Sequence, residues 1–188
     1  MRLLLVDYGV GNIFSIRKAL TDLGAEVVNS FNGDVDGVIL PGVGSYDGAL
    51  RNVDREDLAR LVSERPTLGI CLGMQLLFES SEEGSLRGLS LLRGRVVRLP
   101  RGMKAPHMGW SLVRGWGTLL QGEAYFYFAH SYYALPDEDV VRGVADYAGL
   151  EVPAVVEKGS LYGTQFHPEK SGRRGKEVLA KFLGVVRA

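Results

Sequence analysis

The chain has 188 residues, of which 46% are hydrophobic and 23% are charged, and its 22 basic and 22 acidic side chains give a formal net charge of zero. This length and apolar content suit a domain with a buried core, and the charge balance argues against a nucleic-acid-binding surface, which needs an excess of lysine and arginine. The chain has one cysteine, which suits a reducing compartment, and no apolar run is long enough for a signal peptide or a membrane helix, so the sequence predicts a cytoplasmic protein.

The first half of the chain alternates strand-like and helix-like patterns. Short apolar runs predict buried strands at residues 2–7, 25–28, 36–42 and 67–70. Helical spacing of apolar residues predicts helices at residues 12–24, where Gly24 is a natural stop, and at residues 55–63 and 72–81. Strands that alternate with helices indicate a parallel sheet with helices on both faces.

The pattern changes after about Leu86, where turns rather than helices separate the strand-like segments. These segments read GRVVRL, SLVRG, EAYFYFAHSYYAL, VVRGVADY and PAVVEKGSLYGTQFH. They predict antiparallel strands on the far part of the sheet or in a second small sheet, and an amphipathic helix follows at residues 176–186. We therefore predict one α/β domain over residues 1–188, with a mostly parallel central sheet, helices on both faces and an antiparallel extension in the second half.

The cysteine lies at a junction between a predicted strand and a predicted helix. Residues 69–73 read G-I-C-L-G, which is the thiol form of the G-x-S-x-G nucleophile elbow. A helix N-terminus favours the thiolate of Cys71, and the backbone N–H of Leu72 would point to where an oxyanion forms. Taken alone, the segment fits a buried structural cysteine equally well, because free cysteines are often buried.

His167 is the candidate general base. Pro168 favours an extended conformation at His167, and in an extended chain residues two apart project to the same side. Glu169 can therefore hold one ring nitrogen of His167 and leave the other nitrogen for Cys71. The alternative is a solvated histidine at the end of a strand.

A glycine-rich turn is a weaker candidate for a second oxyanion donor. Residues 41–44 read P-G-V-G and follow a predicted strand. Two glycines let the backbone adopt unusual dihedral angles and direct an N–H group outward. Without other information, a plain loop is the better interpretation of this turn.

Together these segments resemble a known family. GICLGMQLLFE, PGVGSYDGA and GTQFHPEKS resemble the class I (triad-type) glutamine amidotransferases. DYGVGNI, CLGMQ and PHMGW are similar to the branch of that family formed by the glutaminase subunits of imidazole glycerol phosphate synthases, which act in histidine biosynthesis. The segments follow the order of the family from Asp7 to Lys170.

The resemblance implies a reaction and a role for each candidate residue. Cys71 would attack the side-chain amide of glutamine, so that ammonia leaves and a γ-glutamyl thioester forms, which water hydrolyses to glutamate. His167 would serve as general base and then as general acid, with Glu169 as its orienting partner. The backbone N–H groups of Leu72 and Val43 would stabilise the oxyanion, and the turn at Val43 would have to flip before it donates.

The resemblance also implies contacts with the substrate and no cofactor or metal. Gln75 lies one helical turn after Cys71, on the same face of the predicted helix. Ser131 and Tyr132 would contribute backbone contacts, and Gly42 and Gly44 would line the substrate site. The alternatives are an ordinary glutamine on a helix surface and an ordinary strand tyrosine.

The family passes its ammonia to a (β/α)8-barrel synthase subunit, with which this chain would form a heterodimer. Asn12, Met108, Trp110 and Lys170 match positions that face this partner. Trp110 could instead belong to the core, and Lys170 could be a solvated lysine. The sequence departs from the family pattern at Ser111, where asparagine is usual, so a contact made by that asparagine is in doubt.

Three other functions remain open. A sister glutaminase could serve another synthase, such as one for anthranilate or pyridoxal phosphate, but Met74 and the PHMGW segment argue against this. A stand-alone cysteine hydrolase on the same fold would not need a partner. A non-catalytic binding module would not need Cys71, His167 and Glu169 together.

Overall fold

The structure is a computed structural model that describes residues 1–9, 11–30 and 34–188. Its strands are β1 (Arg2–Leu5), β2 (Glu26–Val28), β3 (Gly37–Leu40), β4 (Thr67–Ile70), β5 (Ser80–Ser81), β6 (Gly94–Arg98), β7 (His107–Trp116), β8 (Gln121–His130), β9 (Tyr132–Pro136), β10 (Val141–Tyr147), β11 (Leu150–Lys158) and β12 (Leu161–Thr164). Its helices are α1 (Phe14–Asp22), α2 (Tyr46–Arg51), α3 (Arg55–Glu64), α4 (Leu72–Gln75) and α5 (Gly172–Arg187), with a 3-10 turn at Pro168–Lys170. Val10, which is part of the DYGVGNI segment, lies outside the described residues.

The strands form two sheets. Among the described residues, nine strands form one mixed sheet in the order β2-β1-β3-β4-β12-β11-β10-β7-β8. The strands from β2 to β12 in this order run parallel, and those from β12 to β8 pair antiparallel. The described strands β5, β6 and β9 form a smaller sheet. The predicted fold class is therefore confirmed, including the antiparallel extension.

Helices cover both faces of the parallel part because its strands are apolar on both sides. In β1, Leu3 and Leu5 pack in one core cluster, which also contains buried residues of α1 and α5. Leu4 belongs to the opposite cluster, with buried residues of α2 and α3. This alternation follows from the two-residue period of a strand, and it explains why the sequence shows a continuous apolar run. The amphipathic C-terminal helix is confirmed, since α5 buries Val178 and Leu179 on its inner face.

Two segments differ from their predicted form. The helix predicted at residues 72–81 ends at Gln75, because the next residues bond to distant backbone: the carbonyls of Leu76 and Leu77 accept from the N–H groups of Leu89 and Leu91. The apolar run EAYFYFAHSYYAL is not one strand. It breaks at Ser131 into β8, which pairs with β7 in the large sheet, and β9, which pairs with β6 in the small one.

The fold brings the segment of Cys71 and the segment of His167 together at the carboxyl ends of two neighbouring strands of the large sheet. Strands β4 and β12 are parallel neighbours, and the backbone N–H of Cys71 donates to the carbonyl of Thr164 at 2.7 Å. Residues that follow the carboxyl ends of adjacent parallel strands meet above the same sheet edge. Within the described parts of the chain, no helix is long and apolar enough to span a membrane.

Candidate active site

Cys71 occupies a strained turn between β4 and α4. Its φ of 49° and ψ of −105° lie outside the regions that non-glycine residues usually adopt, at a cost on the order of 1–3 kcal/mol. The flanking glycines make this turn possible: a Cβ atom on Gly69 would lie 2.6 Å from the backbone nitrogen of Met74, and one on Gly73 would lie 2.0 Å from the carbonyl oxygen of Leu40. The G-x-C-x-G spacing thus reflects close approach of the backbone at an elbow.

His167 and Glu169 form a buried pair next to this elbow. The Nδ1 atom of His167 lies 2.8 Å from Oε1 of Glu169, and both side chains are at least nine-tenths buried. The backbone of His167 is extended, with φ −95° and ψ 98°. Its N–H donates to the carbonyl of Tyr127 and its carbonyl accepts from the hydroxyl of Ser171, which itself accepts from the N–H of Tyr127. Strand β8 therefore fixes the backbone that carries the imidazole.

Gly42 shows how closely the thiol and the imidazole approach each other. A Cβ atom on Gly42 would lie 2.9 Å from Cβ of Cys71 and 2.9 Å from Cε1 of His167. The side chains of Cys71 and His167 therefore both border the space next to the Cα atom of Gly42, and any larger residue at position 42 would fill that space. The second glycine of the turn, Gly44, has a φ of 88° and is exposed.

The surroundings of His167 favour its protonated form. Burial alone would lower the pKa of His167, but hydrogen bonds and charge from Cys71 and Glu169 outweigh burial and raise the pKa to about 10. These surroundings therefore favour an imidazolium at His167 paired with the Cys71 thiolate and the Glu169 carboxylate. A cationic imidazole beside a sulfur is the arrangement in which cysteine acts as a nucleophile.

A cavity of about 340 Å³ opens in front of Cys71. This volume lies at the lower end of the range for small-molecule sites. The sequence-predicted substrate residues on its wall are Gly42, Gly44, Gln75, Ser131 and Tyr132, and Leu72 also lines it. Gln75 is buried, so it is not the helix-surface glutamine of the alternative interpretation.

Sequence reasoning missed one charged residue of this cavity, Glu83. Burial raises the pKa of Glu83, the charge of Asp47 adds to the rise, and a backbone hydrogen bond from Tyr46 opposes it. The only sequence signal was a helix-like pattern, which placed residues 72–81 in one helix and left Glu83 beyond its end. The chain instead turns back toward the cavity after α4.

The turn at residues 41–44 contacts the N-terminal loop. Val43 is half-buried, and a Cβ atom on Gly11 would lie 2.6 Å from Cβ of Val43. Gly11 has a φ of 79° and precedes the exposed Asn12, whose side-chain oxygen accepts from the N–H of Phe14 before α1. A displacement of this loop would therefore move the turn at Val43 through direct contact.

The other sequence-predicted interface residues are exposed. Met108 is 63% exposed and Trp110 is 56% exposed, so the alternative that Trp110 belongs to the core is wrong. Lys170 is exposed on the 3-10 turn that follows His167. The Trp110 ring packs edge-on against Tyr127, with ring centroids 6.2 Å apart.

Two buried histidines form a hydrogen-bond chain behind the cavity. Nδ1 of His130 lies 2.8 Å from the carbonyl of Tyr132, which can only accept, so His130 carries its proton there. His107 must then donate from Nδ1 to Nε2 of His130, at 2.9 Å. Nε2 of His107 is left to accept from the Ser111 hydroxyl at 2.8 Å. Ser111, the departure from the family pattern, thus has a local hydrogen-bond partner.

Both of these histidines are neutral at neutral pH. Burial lowers the pKa of His107 to about 4. Burial also lowers the pKa of His130 to about 3, although its bond to the Tyr132 carbonyl opposes the change. His107 is also stacked between Phe128 and Tyr147, with centroid distances of 4.5 and 3.9 Å. The pair is therefore a rigid support for strands β7 and β8 rather than a source of charge.

A larger cavity of about 430 Å³ lies between β1 and α3. None of the described residues that line it is a cysteine or a histidine. The described residues also bring together no cluster of three or more His, Cys, Asp or Glu side chains suited to a metal ion. Among the described residues, a cysteine and a histidine meet at one cavity only next to Cys71.

A cysteine at a strained elbow, a histidine paired with a glutamate and a small cavity on an α/β sheet agree with the sequence comparison. The family described as "Glutamine amidotransferase class-I" matches residues 4–185, and the chain belongs to that family. Its relatives include proteins named "Imidazole glycerol phosphate synthase subunit HisH". The one from Moorella thermoacetica is 50% identical, over 97% of this chain and 94% of the relative, and the one from Geobacillus kaustophilus is 47% identical, over 96% and 95%.

Solved structures agree on the fold. The structure titled "Structure of PurLQS from Thermotoga maritima" superposes with a TM-score of 0.76 at 22% identity, and the superposition covers 98% of each chain. The crystal structure of a glutamine amidotransferase, also from Thermotoga maritima, gives a TM-score of 0.67 at 16% identity, over 99% of this chain and 97% of the other.

Proposed function

We propose that this chain is the glutaminase subunit of imidazole glycerol phosphate synthase, with residues 1–188 as a single glutaminase domain in the cytoplasm. The observation that carries the proposal is the meeting of Cys71 with the His167–Glu169 pair at one small cavity, in a chain 46–50% identical to proteins named for that subunit over almost their whole length. The same identity makes a sister glutaminase for another synthase the weaker candidate.

The cavity suits glutamine in charge as well as in size. Glu83 is the one carboxylate among the described residues that line it, and it offers a partner for the α-ammonium group of an amino acid. The backbone at Ser131 and Tyr132, which also line the cavity, offers neutral hydrogen-bonding groups. We therefore expect the side-chain amide of glutamine to point from Glu83 toward Cys71.

The reaction begins with the sulfur, which attacks the amide carbon of glutamine. The developing oxyanion is stabilised by the N–H of Leu72, which has no intrahelical acceptor because Leu72 is the first residue of α4. Val43 supplies the second N–H when the turn directs it inward. His167 gives its proton to the amide nitrogen, the C–N bond breaks and ammonia leaves. Water, deprotonated by His167, then hydrolyses the thioester to glutamate and restores Cys71.

The ammonia is used by a (β/α)8-barrel synthase subunit, which makes imidazole glycerol phosphate and aminoimidazole carboxamide ribotide. We expect this partner to bind the exposed side chains of Asn12, Met108, Trp110 and Lys170, forming a heterodimer. Two contacts support a path from that surface to the site: Gly11 touches Val43, and Trp110 packs on Tyr127, whose carbonyl accepts from His167. A partner can shift the turn only if it binds one orientation more tightly.

The test is glutamate release by the chain alone, with the barrel subunit, and with the barrel plus its nucleotide substrate. We expect slow release alone and release about 10²–10³-fold faster in the full complex, the value of one oxyanion donor. Cys71→Ala should abolish release and leave binding to the barrel intact. Equal rates in all three mixtures would favour the stand-alone hydrolase.

A further inference from the structure

The sulfur of Cys71 has a neighbour to which neither the proposed function nor the sequence analysis gives a role. The side-chain nitrogen of Gln165 lies 3.5 Å from Sγ of Cys71, within hydrogen-bonding distance for sulfur. Gln165 is fully buried, and its backbone N–H donates to the carbonyl of Ala154. It lies directly after β12 and two residues before His167, and both side chains approach the same sulfur.

The orientation of the Gln165 amide is fixed by a chain of hydrogen bonds that starts at a backbone carbonyl. The carbonyl of Tyr132 can only accept, so the atom of Gln75 that lies 2.9 Å from it must be the amide nitrogen. The second hydrogen on that nitrogen points to the Gln165 amide, 3.2 Å away, which must present its oxygen. The nitrogen of Gln165 is therefore left to face Cys71.

We propose that Gln165 is a further catalytic residue, an N–H donor that stabilises the negatively charged sulfur of Cys71 and holds it toward the cavity. Gln75 acts as a positioning residue for Gln165, in addition to its place on the cavity wall. The proposal deepens the proposed function, because it concerns the nucleophile of that same site.

The hydrogen bonds that hold the Gln165 amide in place continue beyond Gln75. The Tyr132 carbonyl accepts from Gln75 and also from His130, which is held in turn by His107 and Ser111. A buried amide that lost this arrangement could rotate and place its oxygen against the sulfur. A lone pair of the amide oxygen would then face a lone pair of the sulfur away from water, which is unfavourable for a thiolate.

The test uses the single cysteine of the chain, whose alkylation by iodoacetamide reports one thiol. The full chain is measured alone, over a range of pH, as native protein, Gln165→Met and Gln165→Glu. The midpoint belongs to the coupled pair Cys71–His167, and the other ionisable groups facing this pair are Glu169 from the 3-10 turn and His130 from β8.

We expect Gln165→Met to move the midpoint of alkylation up by about one pH unit, a tenfold loss of thiolate below the midpoint, because a donor to a charged group is lost. Gln165→Glu keeps the shape and replaces the donor by an acceptor, so its midpoint should rise further. The matched control is Gln121→Glu, the same chemical change on an exposed residue of β8, which should leave the midpoint unchanged. Midpoints that stay native in both Gln165 variants would overturn the proposal.

A second measurement keeps the test valid if the variants do not fold. The chain has three glutamines, so isotopically labelled glutamine gives three side-chain amide signals in the native protein. Alkylation of Cys71 should shift the signal of Gln165 strongly and leave that of Gln121 in place. An unmoved Gln165 signal contradicts the contact. Neither readout depends on glutamine hydrolysis, so a failure of the proposed function in the glutamate assay is recognised separately.

Discussion

Replacement of Gly42 by alanine tests whether the space between the thiol and the imidazole is as narrow as the structure has it. The new Cβ atom would lie 2.9 Å from Cβ of Cys71, 2.9 Å from Cε1 of His167 and 2.8 Å from the carbonyl oxygen of Ile70. Non-bonded carbon atoms prefer about 3.5–4.0 Å, so each side chain must retreat by roughly 0.6–1.1 Å. Because the methyl group stands between the two side chains, they must move apart.

This separation should affect catalysis more than folding. A misplacement of about 1 Å can cost 10²-fold in rate, so we expect kcat for glutamine hydrolysis in the partner complex to fall about 10²-fold. Overpacking should lower the free energy of unfolding by about 1–3 kcal/mol. The assay is steady-state glutamate release, combined with urea unfolding of the same preparation.

The control is Gly184→Ala, the same substitution at an exposed position of α5, where a Cβ atom would meet nothing within 4 Å. Alanine is the better helix former, so this variant should be more stable by roughly 0.5–1 kcal/mol and fully active. If Gly42→Ala were as active as Gly184→Ala, the thiol and the imidazole could not be held in the geometry described, and the reasoning would be refuted.

Three further predictions concern the groups around this space. His167→Asn should reduce glutamate release nearly as much as loss of the cysteine. Glu169→Gln should be milder, because the imidazole can still sample the reactive geometry without the carboxylate. A Glu169 variant that is less active than the His167 variant would indicate another role for Glu169. Ser111→Ala should lower the free energy of unfolding by about 1 kcal/mol, since Nε2 of His107 loses its donor, and Ser111→Asn should restore the lost stability. Chemical unfolding measures both variants. An alanine variant as stable as the native protein would contradict the hydrogen-bond chain from Ser111 to Tyr132. The contribution of His107 and His130 to the free energy of unfolding should be complete above pH 6.5 and fall as the pH drops toward about 4 and 3. The contribution of His167 should be present below pH 6.5 and lost as the pH rises toward about 10. A free energy of unfolding that stays constant between pH 4 and 10 would contradict both expectations.

The residues that the sequence predicted best are those whose geometry is local. Cys71 follows from the two glycines around it. The pairing of His167 with Glu169 is predicted from their close spacing and is present, but the predicted extended geometry holds only at His167, because Pro168–Lys170 form a 3-10 turn. Gln165 contacts a residue 94 positions away and His107 one 23 positions away. Such contacts are decided by which strands become neighbours, and no local pattern reports that.

The errors in the predicted elements have the same origin. Residues 72–81 have good helical periodicity, yet the segment that begins at Gly88 takes their backbone carbonyls, and tertiary pairing outweighs local propensity. Helix α2 escaped prediction because it has six residues and contains Gly48, a poor helix former. It is held at its start by Asp47, which accepts from the N–H groups of Ser85 and Leu86.

The hydrogen bonds of Tyr127 have a consequence for the behaviour of the chain in solution. Strand β8 is the last strand in the order of the large sheet, and such a strand offers unpaired backbone groups to other chains. The N–H and carbonyl of Tyr127 are instead taken by Ser171 and His167, so the reactive turn also blocks intermolecular strand pairing at this point of β8. Damage to this turn should therefore promote aggregation as well as loss of activity, and a variant of this segment is informative only when its monodispersity has been measured.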